Sequence, residues 1–99
     1  MKKKSDKDIY ILHLFIAGAS PRSTNAIINI KKICTEYLDG MYKLQVIDIY
    51  QQPNLLLKEQ ITAIPVLIKK SPLPEIRMIG DLSDKDMVLK GLNIKTKKE

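Results

Sequence analysis

Ser20 and Ser23 stand three positions apart in the segment Ala17-Gly18-Ala19-Ser20-Pro21-Arg22-Ser23, between an apolar run and a helical pattern. A strand, a short loop and a helix with Pro near its start is also where thiol–disulfide exchange enzymes carry their reactive cysteines. That chemistry needs a thiolate of lowered pKa and usually a second thiol to resolve the mixed disulfide. Here the loop offers hydroxyls instead. The one cysteine, Cys34, falls about three to four helical turns further on. A serine nucleophile would need a base, and His13 is the single histidine. It sits in mid-strand with no third group to orient it. One histidine also excludes a multi-histidine metal site within the chain. Asp81, Asp84 and Asp86 cluster, yet they lack the Gly and distal Glu of a calcium loop. Acids in a first helical turn, favoured by the helix dipole, account for them. There is no Gly-rich phosphate loop. The chemistry points to a non-enzymatic binding module without a cofactor.

The elements that would hold these residues follow from periodicity. Ile9 to Ile16 is nearly continuous apolar sequence rich in β-formers, which suits a central strand covered on both faces. Ser20 reads as a helix N-cap with Pro21 at the first helical position. Ala26, Ile27, Ile30, Ile33, Cys34, Tyr37 and Leu38 recur at three- and four-residue steps. That is one apolar helical face, with Cys34 in the core and Gly40 as the terminating residue. Leu44 to Tyr50 reads as a second strand, so the first half is a βαβ unit with parallel strands.

Beyond Tyr50 the signals are mixed. A turn at Pro53 precedes Leu55 to Ile61, apolar enough for either a short helix or a strand. Ile64, preceding Pro65, is pushed toward extended geometry. Val66 to Ile68 reads as a strand, and Ser71-Pro72-Leu73-Pro74 as a break. In Glu75 to Ile79, Ile76 and Met78 alternate with Arg77 and Ile79. Ser83 with Asp86 suggests a capping box for a helix through Lys90 ended by Gly91, with Met87, Val88 and Leu92 as its apolar side. The order βαβαββα is that of a thioredoxin-like α/β fold, with Pro65 at that fold's cis-proline position.

The formal net charge of +6 suggests nucleic acid at first sight. Its placement argues otherwise. Setting aside Lys2, Lys3, Lys4, Lys7, Lys95, Lys97 and Lys98, with Asp6 and Glu99, leaves ten basic and nine acidic residues. The body is nearly neutral, and no RNA-binding aromatic motif or zinc-finger spacing is present. No apolar stretch approaches a membrane span. The Lys-rich start leads into a short apolar run without a cleavage site, so the expected compartment is cytoplasmic. A chain of 99 residues is small for one core, and association would add burial.

Four segments in register carry a resemblance to the KaiB family: residues 14–23 (LFIAGASPRS), 44–53 (LQVIDIYQQP), 61–67 (ITAIPVL) and 76–92 (IRMIGDLSDKDMVLKGL). The similarity runs from about Tyr10 to Leu92. It implies one KaiB-like domain over residues 9–93, with flexible tails at 1–8 and 94–99. It implies a constant βαβ over residues 9–50. The second half would take either the thioredoxin-like helix–strand–strand–helix arrangement or the family's resting arrangement of two strands and two helices. The isolated form is expected in the resting, tetrameric fold. The implied role is a clock adaptor for a KaiC-type ATPase, with KaiA or a sensor histidine kinase as further partners and a homotetramer or dimer as its own assembly. A clock-derived stress role is a variant of it; a thioredoxin-fold redox protein independent of KaiC is the alternative.

Positions matching the family's KaiC-facing segment are Tyr50, Pro53, Asn54, Gln60, Ile61 and Pro65. Lys43 and Gln45 match the strand where KaiA would pair. Tyr10, Pro65, Gly91 and Asn93 match positions tied to the fold balance. Gln60 and Gln45 stand where the family has Lys, and Asn93 where it has Asp. The acidic C-terminal extension of the family is replaced by Lys95-Thr96-Lys97-Lys98-Glu99.

Overall fold

A computed structural model describes residues 9–94. The expected tail at 1–8 and residues 95–99 of the expected tail at 94–99 lie outside the described residues. Ile94, at the expected start of the second tail, packs against the main core.

Strand β1 (Tyr10–Ile16) leads into helix α1 (Pro21–Ile33), whose last turn widens into π-helical geometry over Cys34–Leu38. Strand β2 (Tyr42–Asp48), helix α2 (Leu55–Lys58), strands β3 (Val66–Ser71) and β4 (Ile76–Ile79), and helix α3 (Lys85–Gly91) follow. The four strands form one sheet in the order β2-β1-β3-β4. β1 and β2 are parallel, while β3 runs antiparallel to both β1 and β4. The order βαβαββα is therefore realised as a thioredoxin-like α/β fold, and the Ile64–Pro65 peptide is cis.

β1 alternates between two cores because successive side chains leave opposite faces of a sheet. Leu12, Leu14 and Ile16 join Ala26, Ile30, Ile33, Cys34, Val88, Leu89 and Leu92 on the face covered by α1 and α3. Phe15 joins Ile47, Ile61, Val66 and Ile68 on the other face, beneath Leu55 and Leu56 of α2. The adjacent lysines of β3 divide between these faces. Lys69, in register with Leu12 and Ile76, is only 1% exposed, and burial lowers its pKa. Lys70 emerges beside Glu59 on the α2 face.

Four local expectations change. The second strand is expected at Leu44–Tyr50 and lies two residues earlier, because the chain turns after Asp48, which still pairs with Ile16 while its carboxylate accepts the amide of Tyr50 at 3.0 Å. Asp39 and Gly40 both take left-handed backbone at the end of the first helix, so Asp39 shares the terminating role expected of Gly40. The last helix is capped by Asp84, not Ser83. Asp84 Oδ1 accepts from Met87 N at 3.2 Å, while the Ser83 amide is taken by Asp81 Oδ1 at 3.1 Å. On that helix Val88 and Leu92 are buried as expected, but Met87 is 44% exposed and Leu89 is buried instead.

The second half is in the thioredoxin-like arrangement rather than the resting one expected of the isolated chain. Within one chain this arrangement satisfies β3 on both edges, between β1 and β4. It also buries Leu67, Met78, Val88 and Leu92 against the constant half.

Candidate functional site

The loop after β1 is built on hydroxyls. Ser20 Oγ accepts from Ser23 N at 3.2 Å, capping α1, and Ser23 Oγ accepts from Ala17 N at 3.1 Å. Ser23 is completely buried. Both serines thus hold the turn in place, where a redox enzyme would present thiols. Cys34 is buried in the main core, and that burial pushes its thiol up to about 11. It is neutral at physiological pH and has no route to a substrate disulfide.

The carboxyl end of β1 gathers the remaining features. Asp48 Oδ1 accepts from Gly18 N at 3.1 Å and from Tyr50 N, joining the loops that follow β1 and β2. Gly18 has left-handed backbone (φ 59°), and a Cβ there would sit 3.0 Å from the Tyr50 ring. The ring is consequently held close to the loop, yet Tyr50 remains 71% exposed. Pro65 immediately precedes β3 at the same end of the sheet, and its carbonyl accepts from Gly80 N at 2.9 Å.

From Tyr50 the chain turns through Gln51–Asn54 into α2. Leu55 and Leu56 face the core, whereas Leu57 is 87% exposed. The helix ends with Ile61 N donating to Leu56 O at 2.8 Å and Gln60 N to Leu57 O at 3.1 Å. Gln60 adopts φ 56°, the left-handed conformation that closes such an end and that glycine most readily supplies. Ile61 then anchors the segment in the second core.

Of the predicted docking residues, Tyr50, Pro53, Asn54 and Gln60 are exposed on this one segment, while Ile61 and Pro65 are buried beneath it. Lys43 and Gln45 lie exposed on β2, in register with Ile11 and His13, on the same sheet face as α2. The expected fold-balance residues divide. Tyr10 reaches the end of α3, where Tyr10 Oη donates at 2.8 Å to the carbonyl of Leu92, which stands between Gly91 and Asn93 in the chain, and Met78 packs where a Gly91 side chain would be. Pro65 is remote from them.

One cluster escaped the sequence reading. Arg77 Nη1 donates to Gln60 O at 2.9 Å and Nη2 to Glu59 O at 2.7 Å. Lys70 Nζ donates to Glu59 Oε1 at 2.9 Å, and Glu75 lies 3.9 Å from Arg77 and 4.0 Å from Lys70. The Lys70 hydrogen bond holds the Glu59 carboxyl below its usual range. Burial first, then the Lys70 charge, lowers the pKa of His13 nearby. The signal available in sequence was the placement of Arg77 opposite Met78. Its contacts, 17 and 18 positions away, were not readable.

Among the described residues no helix is long and apolar enough to cross a membrane. Comparison with known proteins gives a consistent picture. The KaiB domain matches residues 13–94. The chain is 43% identical over 90 residues to the circadian clock oscillator protein KaiB of Synechococcus elongatus, covering 91% of this chain and 88% of that protein. It is 44% identical over 89 residues to the circadian clock protein KaiB3 of a Synechocystis strain, covering 90% and 87%. In structure it is similar to the N-terminal domain of Synechococcus elongatus SasA, with TM-score 0.71 and 24% identity over 94% of this chain and 91% of that one. It is also similar to chloroplastic thioredoxin z, with TM-score 0.69 and 18% identity over 90% and 82%. The last two likenesses are likenesses of fold.

Proposed function

Because the chain belongs to the KaiB family, we propose that it acts as a non-enzymatic clock adaptor that docks on a KaiC-type ATPase ring in the arrangement described above. The observation that carries this reading is the α2 segment: Tyr50 and Leu57 stand out into solvent beside Pro53 and Asn54, on a backbone anchored by Ile61 and Pro65. Exposed large apolar groups of this kind mark interaction surfaces, and aromatic anchors dominate their energetics.

In this reading the chain exchanges between the thioredoxin-like arrangement and a resting, self-associated one, a homotetramer or dimer. Only the first presents α2. Binding is then weakened by the fraction of chains in the competent state, which supplies a delay. Gln60 and Gln45, in place of the family's lysines, lower the positive charge of the docking face. KaiA or a sensor histidine kinase would compete or join at the face that carries Lys43 and Gln45. The cytoplasm is the proposed compartment, and a clock-derived stress role is compatible with the same surface.

The test is size-exclusion chromatography of the chain with a KaiC-type hexamer and ATP. Co-elution that develops over hours is expected, and Leu57→Asp should abolish it. No co-elution in any nucleotide state overturns the proposal.

A further inference from the structure

We infer that Arg77 is a positioning residue that fixes the docking segment from behind, by bridging the two carbonyls at which α2 turns back into the sheet. α2 has four residues and cannot hold itself together in water. Its closure requires Gln60 to stay in left-handed backbone, a conformation unfavourable for a residue with a Cβ. Something outside the segment must therefore maintain it.

The guanidinium of Arg77 is rigid and planar, and its two nitrogens reach Gln60 O at 2.9 Å and Glu59 O at 2.7 Å. Charge-assisted bonds in this forked geometry constrain orientation as well as distance. Arg77 itself is carried on β4, in register with Ile68 of β3. The Lys70 bond to Glu59 at 2.9 Å ties the same turn to β3. Both cations thus come from the two strands that follow α2, and the forked Arg77 contact needs β4 paired with β3 as it is here. The latch reports the pairing of β3 and β4 to the exposed face of α2. Leu57 is presented when the strands are assembled and released when they part.

This inference deepens the docking reading, and its first test does not depend on that reading. Amide hydrogen exchange of the full chain is compared for the parent, Arg77→Gln and Arg77→Lys. Lysine keeps the charge but reaches only one carbonyl at a time. In Arg77→Gln, the Gln60 and Ile61 amides are expected to exchange roughly tenfold faster, the loss of charge-assisted hydrogen bonds discounted for partial exposure. Amides of β1 should keep the parent rate, which separates a local release from global destabilisation. Arg77→Lys should fall between the two. A second test measures affinity for the KaiC-type hexamer, expected to weaken about fivefold to tenfold in Arg77→Gln. Parent exchange rates at Gln60 and Ile61 in Arg77→Gln, or full rescue by Arg77→Lys, would overturn the inference. A parent chain that ignores the hexamer while showing the exchange pattern would instead sink the docking reading alone.

Discussion

Tyr10 and Leu92 are 82 positions apart, and the phenol of the first donates to the carbonyl of the second at 2.8 Å. The constant half of the chain thereby grips the end of the last helix through a directional bond. Tyr10→Phe keeps the ring and removes the donor. The thioredoxin-like arrangement should lose about 0.5–1.5 kcal/mol, measurable as a lower urea midpoint with unchanged slope. An unchanged midpoint would show that this bond does not hold α3.

Gly91 faces Met78, whose sulfur lies 2.5 Å from where an alanine Cβ would stand. The obstacle is the flexible end of a thioether, which can swing away. Alanine also gains up to about 1 kcal/mol of helix propensity over glycine. Gly91→Ala should therefore favour the arrangement that contains α3. Light scattering should give a smaller mass than for the parent if a resting tetramer competes with it, and an unchanged mass contradicts that competition.

Gln60 pays a conformational penalty at φ 56°. Gln60→Gly should raise unfolding stability by about 0.5–1 kcal/mol, because glycine occupies left-handed backbone without a Cβ clash. A destabilised variant would mean that the Gln60 side chain makes a contribution larger than its strain.

Glu59 and His13 set the acid limit of the α2 face. Both have folded pKa values below their ordinary ones. In each case the unfolded chain binds protons more readily, so stability is present above the unfolded pKa and is lost as pH falls through the folded one. For His13 the loss begins below about pH 6.5, and for Glu59 below about pH 4.3. Solvent screening keeps the Glu59 part under about 1 kcal/mol. Denaturation series from pH 7 to pH 3 should show His13→Gln flattening the upper step and Glu59→Gln the lower. A parent slope in both variants would refute the assignment.

Cys34 should resist alkylation in the native chain between pH 7 and pH 8, since burial holds the thiol protonated with its pKa near about 11. Adding urea should accelerate the reaction steeply. Fast native labelling would reopen the redox alternative.

Residues 9–50 are legible because each element there serves a single pattern. Ser20 and Pro21 announce α1, and the apolar steps from Ala26 to Leu38 identify the side that is in fact buried. After Tyr50 the same residue types serve two ends. Leu55, Leu56 and Leu57 are chemically alike, yet two lie over the second core and one is exposed. The segment closes in a left-handed turn at Gln60, whose carbonyl accepts from Arg77 far along the chain. The proposed docking positions rest on family likeness, whereas the network behind them is a product of tertiary pairing. The cap of α3 was missed by one residue because Asp81 removes the Ser83 amide before the helix begins.

β1 borders a strand from its own half on one side and β3, which arrives later in the chain, on the other. During synthesis, the βαβ unit is complete on the ribosome while that second border is still bare. From Ile11 to Phe15 it offers unpaired amides and carbonyls to any extended segment nearby, including those of sister chains. Newborn molecules are therefore most adhesive between the emergence of β2 and the arrival of Val66–Ser71. Whatever sets the pace of translation across that interval bears on how many of them pair β1 with their own β3.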